Sequence, residues 1–245
     1  MKLSICIPHY NRKKLLINTL SSIEASKYKD VEVCIVDDGS NNENNLSDIS
    51  SIFPDLDIKL HTFSQPEKTW SEVGVIPLNK AISMASGDII MILCAECYLL
   101  NDIILDVVEN IRSNMYRVYA TYSLAECERY DNFTIRNTNW YQHSIYSNHL
   151  WNFCVTLTKE DMFHLGGFDE RYAYGYDYGD CEFLERVKRK KMDIIAIDDK
   201  IALHQWHPKQ PGYYRSNELR DKNKALYFQN TLNENIITVP NSFLK

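Results

Sequence analysis

Three times in its first hundred residues the chain drives a short, apolar, β-rich run into a polar end. "LSICIP" leads into His-Tyr-Asn, "VEVCIV" into Asp-Asp-Gly-Ser, and "GDIIMIL" into Cys-Ala-Glu. Between these runs the period changes. In "NRKKLLINTLSSIEASKY", Leu16, Leu20 and Ile23 fall at i, i+4 and i+7, one helical face, and "PLNKAISMAS" stops at a glycine able to close a helix. Strands alternating with helices predict an α/β fold: a mostly parallel open sheet flanked by helices, with ligands beyond the carboxyl ends of the strands.

The alternation continues. "DIKLHTF" predicts a third strand, "DIILDVVENIRSN" a helix and "RVYATYS" a strand. "TKEDMFHLGGF" predicts a short capped helix ending at Gly166-Gly167, and "CEFLERVKRKKMDIIAI" a helix then a strand. Residues 125–152 are polar and aromatic without a clean period, and prolines after His204 break the tail before one more helix.

Composition narrows the function classes. A net charge of −6 over 245 residues argues against a nucleic-acid surface. The dense basic run "RVKRKK" at 186–191 reads as a solvated helix face. Seven scattered cysteines, an odd number, do not form a disulfide framework and suit a reducing compartment. "MKLSICIPHYN" has no signal-peptide pattern, and no apolar run approaches the ~18 residues of a transmembrane segment. The expectation is a soluble, cytoplasmic protein, free or peripheral to a membrane-bound acceptor. No glycine-rich phosphate loop follows the first strand, which disfavours dinucleotide oxidoreductases and P-loop phosphotransferases.

Four segments in order, "SICIPHYNR", "EVCIVDDGS", "NKAISMASGDIIMIL" and "GGFDERYAYGYDYGDCEFLERV", resemble a family 2-type glycosyltransferase of the GT-A fold over most of residues 1–207. The resemblance implies a Rossmann-like, nucleotide-sugar-binding half at 1–100, an acceptor and catalytic half of the same domain at 101–207, and a C-terminal extension at 208–245. It implies an enzyme that moves a hexosyl or N-acetylhexosaminyl group from a nucleotide-diphosphate donor, a UDP-sugar, to a glycan or other hydroxyl acceptor, with inversion and with a divalent metal, Mn2+ or Mg2+.

By the same resemblance Pro8, Tyr10, Asn11, Asp37, Asp38 and Asn79 bind the nucleotide, with Asp38 accepting from a uracil-like imino N–H. Cys94-Ala95-Glu96 stands at the usual Asp-x-Asp motif, making Glu96 the acidic metal ligand. His204 is the second ligand and His207 its rival. A hard cation needs few protein oxygens when diphosphate and water supply the rest. Asp180 is the general base, with Asp177 and Glu182 as rivals. Tyr176, Glu182 and Trp206 contact the acceptor, with Tyr213 and Tyr214 as further stacking candidates. Asp180 also suits a helix N-cap. Cys94 and Cys97 close an apolar strand and read as packing residues, because redox pairs open helices. The missing first acid at Cys94 and the Gly179-Asp180 pair keep a second reading open, a nucleotide-sugar or glycan-binding protein of this fold without catalysis.

Overall fold

The computed structural model describes residues 1–70, 74–208, 216–232, 239 and 241–243. The three strands that open the chain form as expected: β1 (Leu3–His9), β2 (Val31–Asp37) and, fourth in order, β4 (Ile89–Leu93), with β3 (Asp57–Thr62) at the edge. All four are parallel, in the order β3-β2-β1-β4. Alternation along each strand decides which helix it meets. Leu3, Ile5, Ile7, Val33 and Ile35 face Leu16, Leu20 and Ile23 of helix α1 (Lys13–Glu24). Cys6, Cys34, Val36, Ile90 and Ile92 face the other way, onto Val75, Leu78, Ala81 and Ile82 of α3 (Val75–Met84). A four-residue helix, α2 (Ile49–Ile52), lies between β2 and β3.

Beyond β4 the sheet changes character. It continues through β8 (Cys154–Thr158), β6 (Met115–Ser123), β9 (Asp193–His204) and β5 (Cys97–Leu99), with β7 (Trp140–Gln142) paired to β6. β8 runs antiparallel to both β4 and β6, β6 and β9 are parallel, and β5 is antiparallel to β9. The parallel arrangement therefore holds for the first half and gives way to mixed pairing in the second. Helix α4 (Ile103–Asn110) joins the core on the α1 side through Ile103, Ile104 and Val107. Helices α5 (Lys159–Leu165) and α6 (Gly179–Arg189) cover the α3 side. Thr158 caps α5 by accepting from Asp161 N, and Gly166 ends it in the left-handed conformation at φ 74°. The last helix, α7 (Asn217–Leu232), lies against α6 and the turn at 170–174.

The basic run corrects its sequence reading. Arg186 is fully buried, because Glu182 one turn earlier meets its guanidinium at 2.8 Å and the carbonyls of Leu165 and Gly167 take its remaining donors. Lys190 pairs with the buried Asp161 at 2.7 Å. Part of this run holds α6 to α5 rather than facing water. Among the described residues, no helix is long and apolar enough to cross a membrane.

Candidate functional site

Where β1 and β4 end side by side, a cavity of about 310 Å³ opens. Its floor is Pro8 with Ile92, Leu93 and Cys94, one wall is Gly74, Val75 and Leu78, and the opposite wall is Trp151, Asn152 and Phe153. Asp177, Gly179 and Asp180 close the remaining side. Segments about sixty residues apart meet here because β8 pairs with β4 in the register Leu93↔Cys154, which sets Phe153 beside Cys94.

Asp180 lies in the first turn of α6 and accepts from Cys181 N at 2.8 Å. Burial, reinforced by the neighbouring charge of Asp177, raises its pKa above the usual aspartate value. The turn that delivers it is strained: Asp177 and Tyr178 are consecutive non-glycine residues at φ 67° and 69°. Asn223 of α7 holds that turn from behind, donating its amide to the carbonyls of Tyr172 at 3.0 Å and Asp177 at 2.8 Å. Asp177 itself pairs with Arg220 at 3.2 Å. Tyr176 sits on the same turn, tied by its backbone N–H to Leu219 O at 3.1 Å.

A second cluster forms at the end of β5. Pairing of Cys97 with His204 across β5 and β9 sets Glu96 beside the residues that follow the strand, with Gln205 N donating to Glu96 O at 3.0 Å. Glu96 Oε1 lies 3.2 Å from Arg12 Nε and 3.9 Å from His207 Nε2. The rings of His204 and His207 are 5.4 Å apart, and Tyr141 and Phe153 meet His204 edge-on. Burial lowers the pKa of His204, opposed by the charge of Glu96. Trp206 is exposed just beyond. Tyr213 and Tyr214 lie outside the described residues.

The acids after β2 are engaged with protein partners. Asp37 takes His9 Nδ1 at 3.2 Å and both the N–H and hydroxyl of Ser40; burial alone would raise its pKa, and these bonds bring it below the usual value. Asp38 is buried, which raises its pKa, against the opposing pull of Lys68 Nζ at 2.6 Å and Trp70 Nε1 at 2.9 Å. Lys68 also stands 4.6 Å from the centroid of the Tyr10 ring. Asn11 adopts φ 52°, donates its N–H to Ser40 Oγ at 2.8 Å and accepts from Asn41 N on its side-chain oxygen, so the loops after β1 and β2 are locked together.

Two expected site residues are engaged inside the protein. Asn79 is fully buried and braces the backbone of Phe168, donating to its carbonyl at 2.8 Å and accepting its N–H at 2.9 Å. Glu182 is buried against Arg186 and has no face toward an acceptor. Conversely, Arg12, Trp151, Asn152, Phe153 and Asn223 were not singled out from the sequence. Arg12 closes the quoted "SICIPHYNR", Trp151 and Asn152 fall in the stretch at 125–152 that has no clean period, Phe153 directly follows it, and Asn223 lies in the helix expected after His204. Cys97 and Cys154 are buried, burial pushes both thiols well above their ordinary pKa, and all seven cysteines are free.

Residues 4–167 match the model of glycosyl transferase family 2. The chain belongs to that family. This family 2 chain is 25% identical over 193 residues to the amylovoran biosynthesis glycosyltransferase AmsB of Erwinia amylovora, a match covering 73% of the chain and 62% of that relative. Its fold is that of GT-A transferases. TarS 1–349 of S. aureus in complex with UDP-GlcNAc superposes with a TM-score of 0.70 at 16% identity, over 95% of this chain and 67% of that one. The mannosyltransferase PcManGT of Pyrobaculum calidifontis, in complex with GDP-Man and Mn2+, superposes with a TM-score of 0.61 at 18% identity, over 95% and 64%. In the family 2 chain described here, Cys94 lines the cleft at the ends of β1 and β4.

Proposed function

We propose that the protein transfers a sugar from a nucleotide-diphosphate donor, a UDP-sugar, to a hydroxyl acceptor with inversion at the anomeric carbon. The observation that carries this reading is the convergence of Pro8, Cys94, Asp177 and Asp180 on one cavity at the carboxyl ends of β1 and β4, where open α/β sheets bind ligands. The relatives' complexes with UDP-GlcNAc and GDP-Man support the donor class.

In this reading Asp180 is the general base. Its raised proton affinity suits a carboxylate that takes the acceptor hydroxyl proton as that oxygen attacks. One displacement with one base inverts the configuration. Pro8 and Tyr10 hold the nucleobase, Asn11 and Asp37 shape the loop beneath it, and Asp38 reads the base once Lys68 and Trp70 give way. Tyr176 and Trp206 face the acceptor.

A divalent cation is part of the proposal, and the side chains fit it in part. Among the described residues no three His, Cys, Asp or Glu side chains gather into a ready-made metal site. Glu96 nonetheless offers one carboxylate, and His204 or its rival His207 one imidazole, a donor pair that suits Mn2+ when phosphate oxygens complete the shell. When bound, the metal would supply positive charge to the leaving diphosphate. Glu96 would hold it, and burial lowers the pKa of His204, the direction that favours a metal-binding imidazole.

The test is hydrolysis and transfer with a panel of UDP- and GDP-sugars, with Mn2+, Mg2+ or EDTA. Turnover of one UDP-sugar that requires the metal is the expected result. Tight binding with no turnover in any pairing supports the non-catalytic reading instead, which Cys94 favours.

A further inference from the structure

Arg12 brings a positive charge into the Glu96 cluster. It is the residue preceding α1, immediately after the Pro8–Asn11 loop, and its side chain is only 14% exposed. Its guanidinium has Glu96 Oε1 3.2 Å from Nε, yet that N–H is not aligned on the carboxylate and Nε has no hydrogen-bond partner. Nη1 donates to Asn11 O at 3.1 Å, and Nη2 lies 3.0 Å from His207 Nδ1 and 3.5 Å from Pro208 O. A buried guanidinium with an unmatched donor calls for an explanation. The nearby lysines are otherwise engaged: Lys13 with Asp48 at 2.7 Å and Lys68 with Asp38 at 2.6 Å.

We propose that Arg12 is a diphosphate-binding residue, and that Glu96 and His207 occupy its guanidinium beside the nucleotide loop until a donor arrives. This rests on the nucleotide-sugar reading and extends it. The planar fork of arginine matches phosphate oxygens and keeps its charge at every working pH. Arg12 therefore gives the donor a foothold in the absence of metal. Diphosphate draws the guanidinium off Glu96, and the freed carboxylate is then available to a cation. Where the family motif lacks its first acid, a fixed cation compensates by holding the same phosphates directly.

The experiment is titration calorimetry of the full chain with UDP and with uridine, each in EDTA and in Mn2+. It compares wild type, Arg12→Gln, Arg12→Lys, Glu96→Gln and the Arg12→Gln/Glu96→Gln double variant, with Tm recorded for each. In EDTA, Arg12→Gln weakens UDP on the order of 10- to 100-fold, the worth of one or two charge-assisted bonds, and leaves uridine within about twofold. Arg12→Lys retains part of the UDP affinity. Glu96→Gln, with its guanidinium released, binds UDP in EDTA at least as tightly as wild type. The double variant leaves neither charge unpaired and shows the same UDP loss as Arg12→Gln, which separates lost contact from misfolding.

Equal losses for UDP and uridine overturn the proposal, as does UDP affinity in EDTA unchanged by Arg12→Gln. Those results leave the nucleotide-sugar reading intact. Wild type that binds UDP neither in EDTA nor in Mn2+ removes that reading and the role of Arg12 together.

Discussion

Asp180 sits in the first turn of α6 beside Asp177, and burial followed by that neighbouring charge raises its proton affinity. The same desolvation that suits a general base makes the ionised carboxylate unfavourable in the folded chain. A folded-state pKa above the unfolded one means that the folded form binds the extra proton, so this contribution to stability falls as pH rises through the raised value. Asp180→Asn should therefore melt at the same or a higher temperature than wild type at pH 8. That difference should vanish below about pH 4, where the aspartate is protonated in both states. Transfer should fall by at least ~100-fold at saturating donor, with UDP affinity within a few-fold. Full activity in Asp180→Asn passes the role to Asp177. At this scale the sequence was partly legible: an acid at a strand or helix end announces itself. Whether its oxygens face a cleft or a neighbour does not. Nothing in the spacing of Glu182 tells that Arg186 turns inward to meet it, because that depends on the distant carbonyls of Leu165 and Gly167.

The elements near the cleft divide into those that carry its residues and those that hold them in place. α7 belongs to the second kind. Asn223 is fully buried and clamps the carbonyls of Tyr172 and Asp177, and Asn230 further along α7 donates to Asp169 Oδ2 at 3.3 Å. Gly175 makes room for the clamp, since a Cβ there would overlap the Asn223 amide. Asn223→Ala should release the strained Asp177–Tyr178 turn and lower kcat on the order of tenfold, about the worth of one buried hydrogen bond, with UDP affinity within twofold. Gly175→Ala should reproduce that split by displacing the same amide. A matching fall in UDP affinity would mean that α7 supports the whole cleft rather than this turn.

β1 to β4, with α1 and α3, were legible because each is a local period with a local stop signal. β5, β7 and β8 were not. β5 and β7 have three residues each, too short to establish a period, and β8 and β5 are defined by their partners: β8 by its register with β4 and β6, β5 by β9. The wall of Trp151, Asn152 and Phe153 was hidden for the same reason, since the β8 register is what brings it to Cys94.

Across the whole molecule the two ends of the parallel strands have different work. At the carboxyl ends lie the cavity, Arg12 and Glu96. At the amino ends, the fully buried Glu32 joins three strands: it accepts from Ser4 Oγ at 2.6 Å on β1 and from Ser86 N and Oγ just before β4, and pairs with Lys2 at 2.6 Å and Lys59 of β3 at 2.9 Å. Burial alone would raise the pKa of Glu32, but the bonds from Lys2, Ser4 and Ser86 hold it far below the usual carboxylate range. Its stabilisation is thus complete above the unfolded glutamate pKa, near 4.3, and is lost as pH falls from there toward the depressed folded value. Glu32→Gln should cost about 2–4 kcal/mol at pH 7, between the worth of a charge-assisted bond and that of a broken buried pair. It should also flatten the acid limb of the Tm–pH curve and leave UDP affinity unchanged. Glu96→Gln should do the reverse, keeping Tm and abolishing the Mn2+ enhancement of UDP binding. Melting curves from pH 3 to 8 and UDP titrations with and without Mn2+ check both. A Glu32→Gln protein that folds stably but loses UDP would show that the two ends of the sheet are coupled, because the amino-end network would then be setting the geometry of loops a full strand length away.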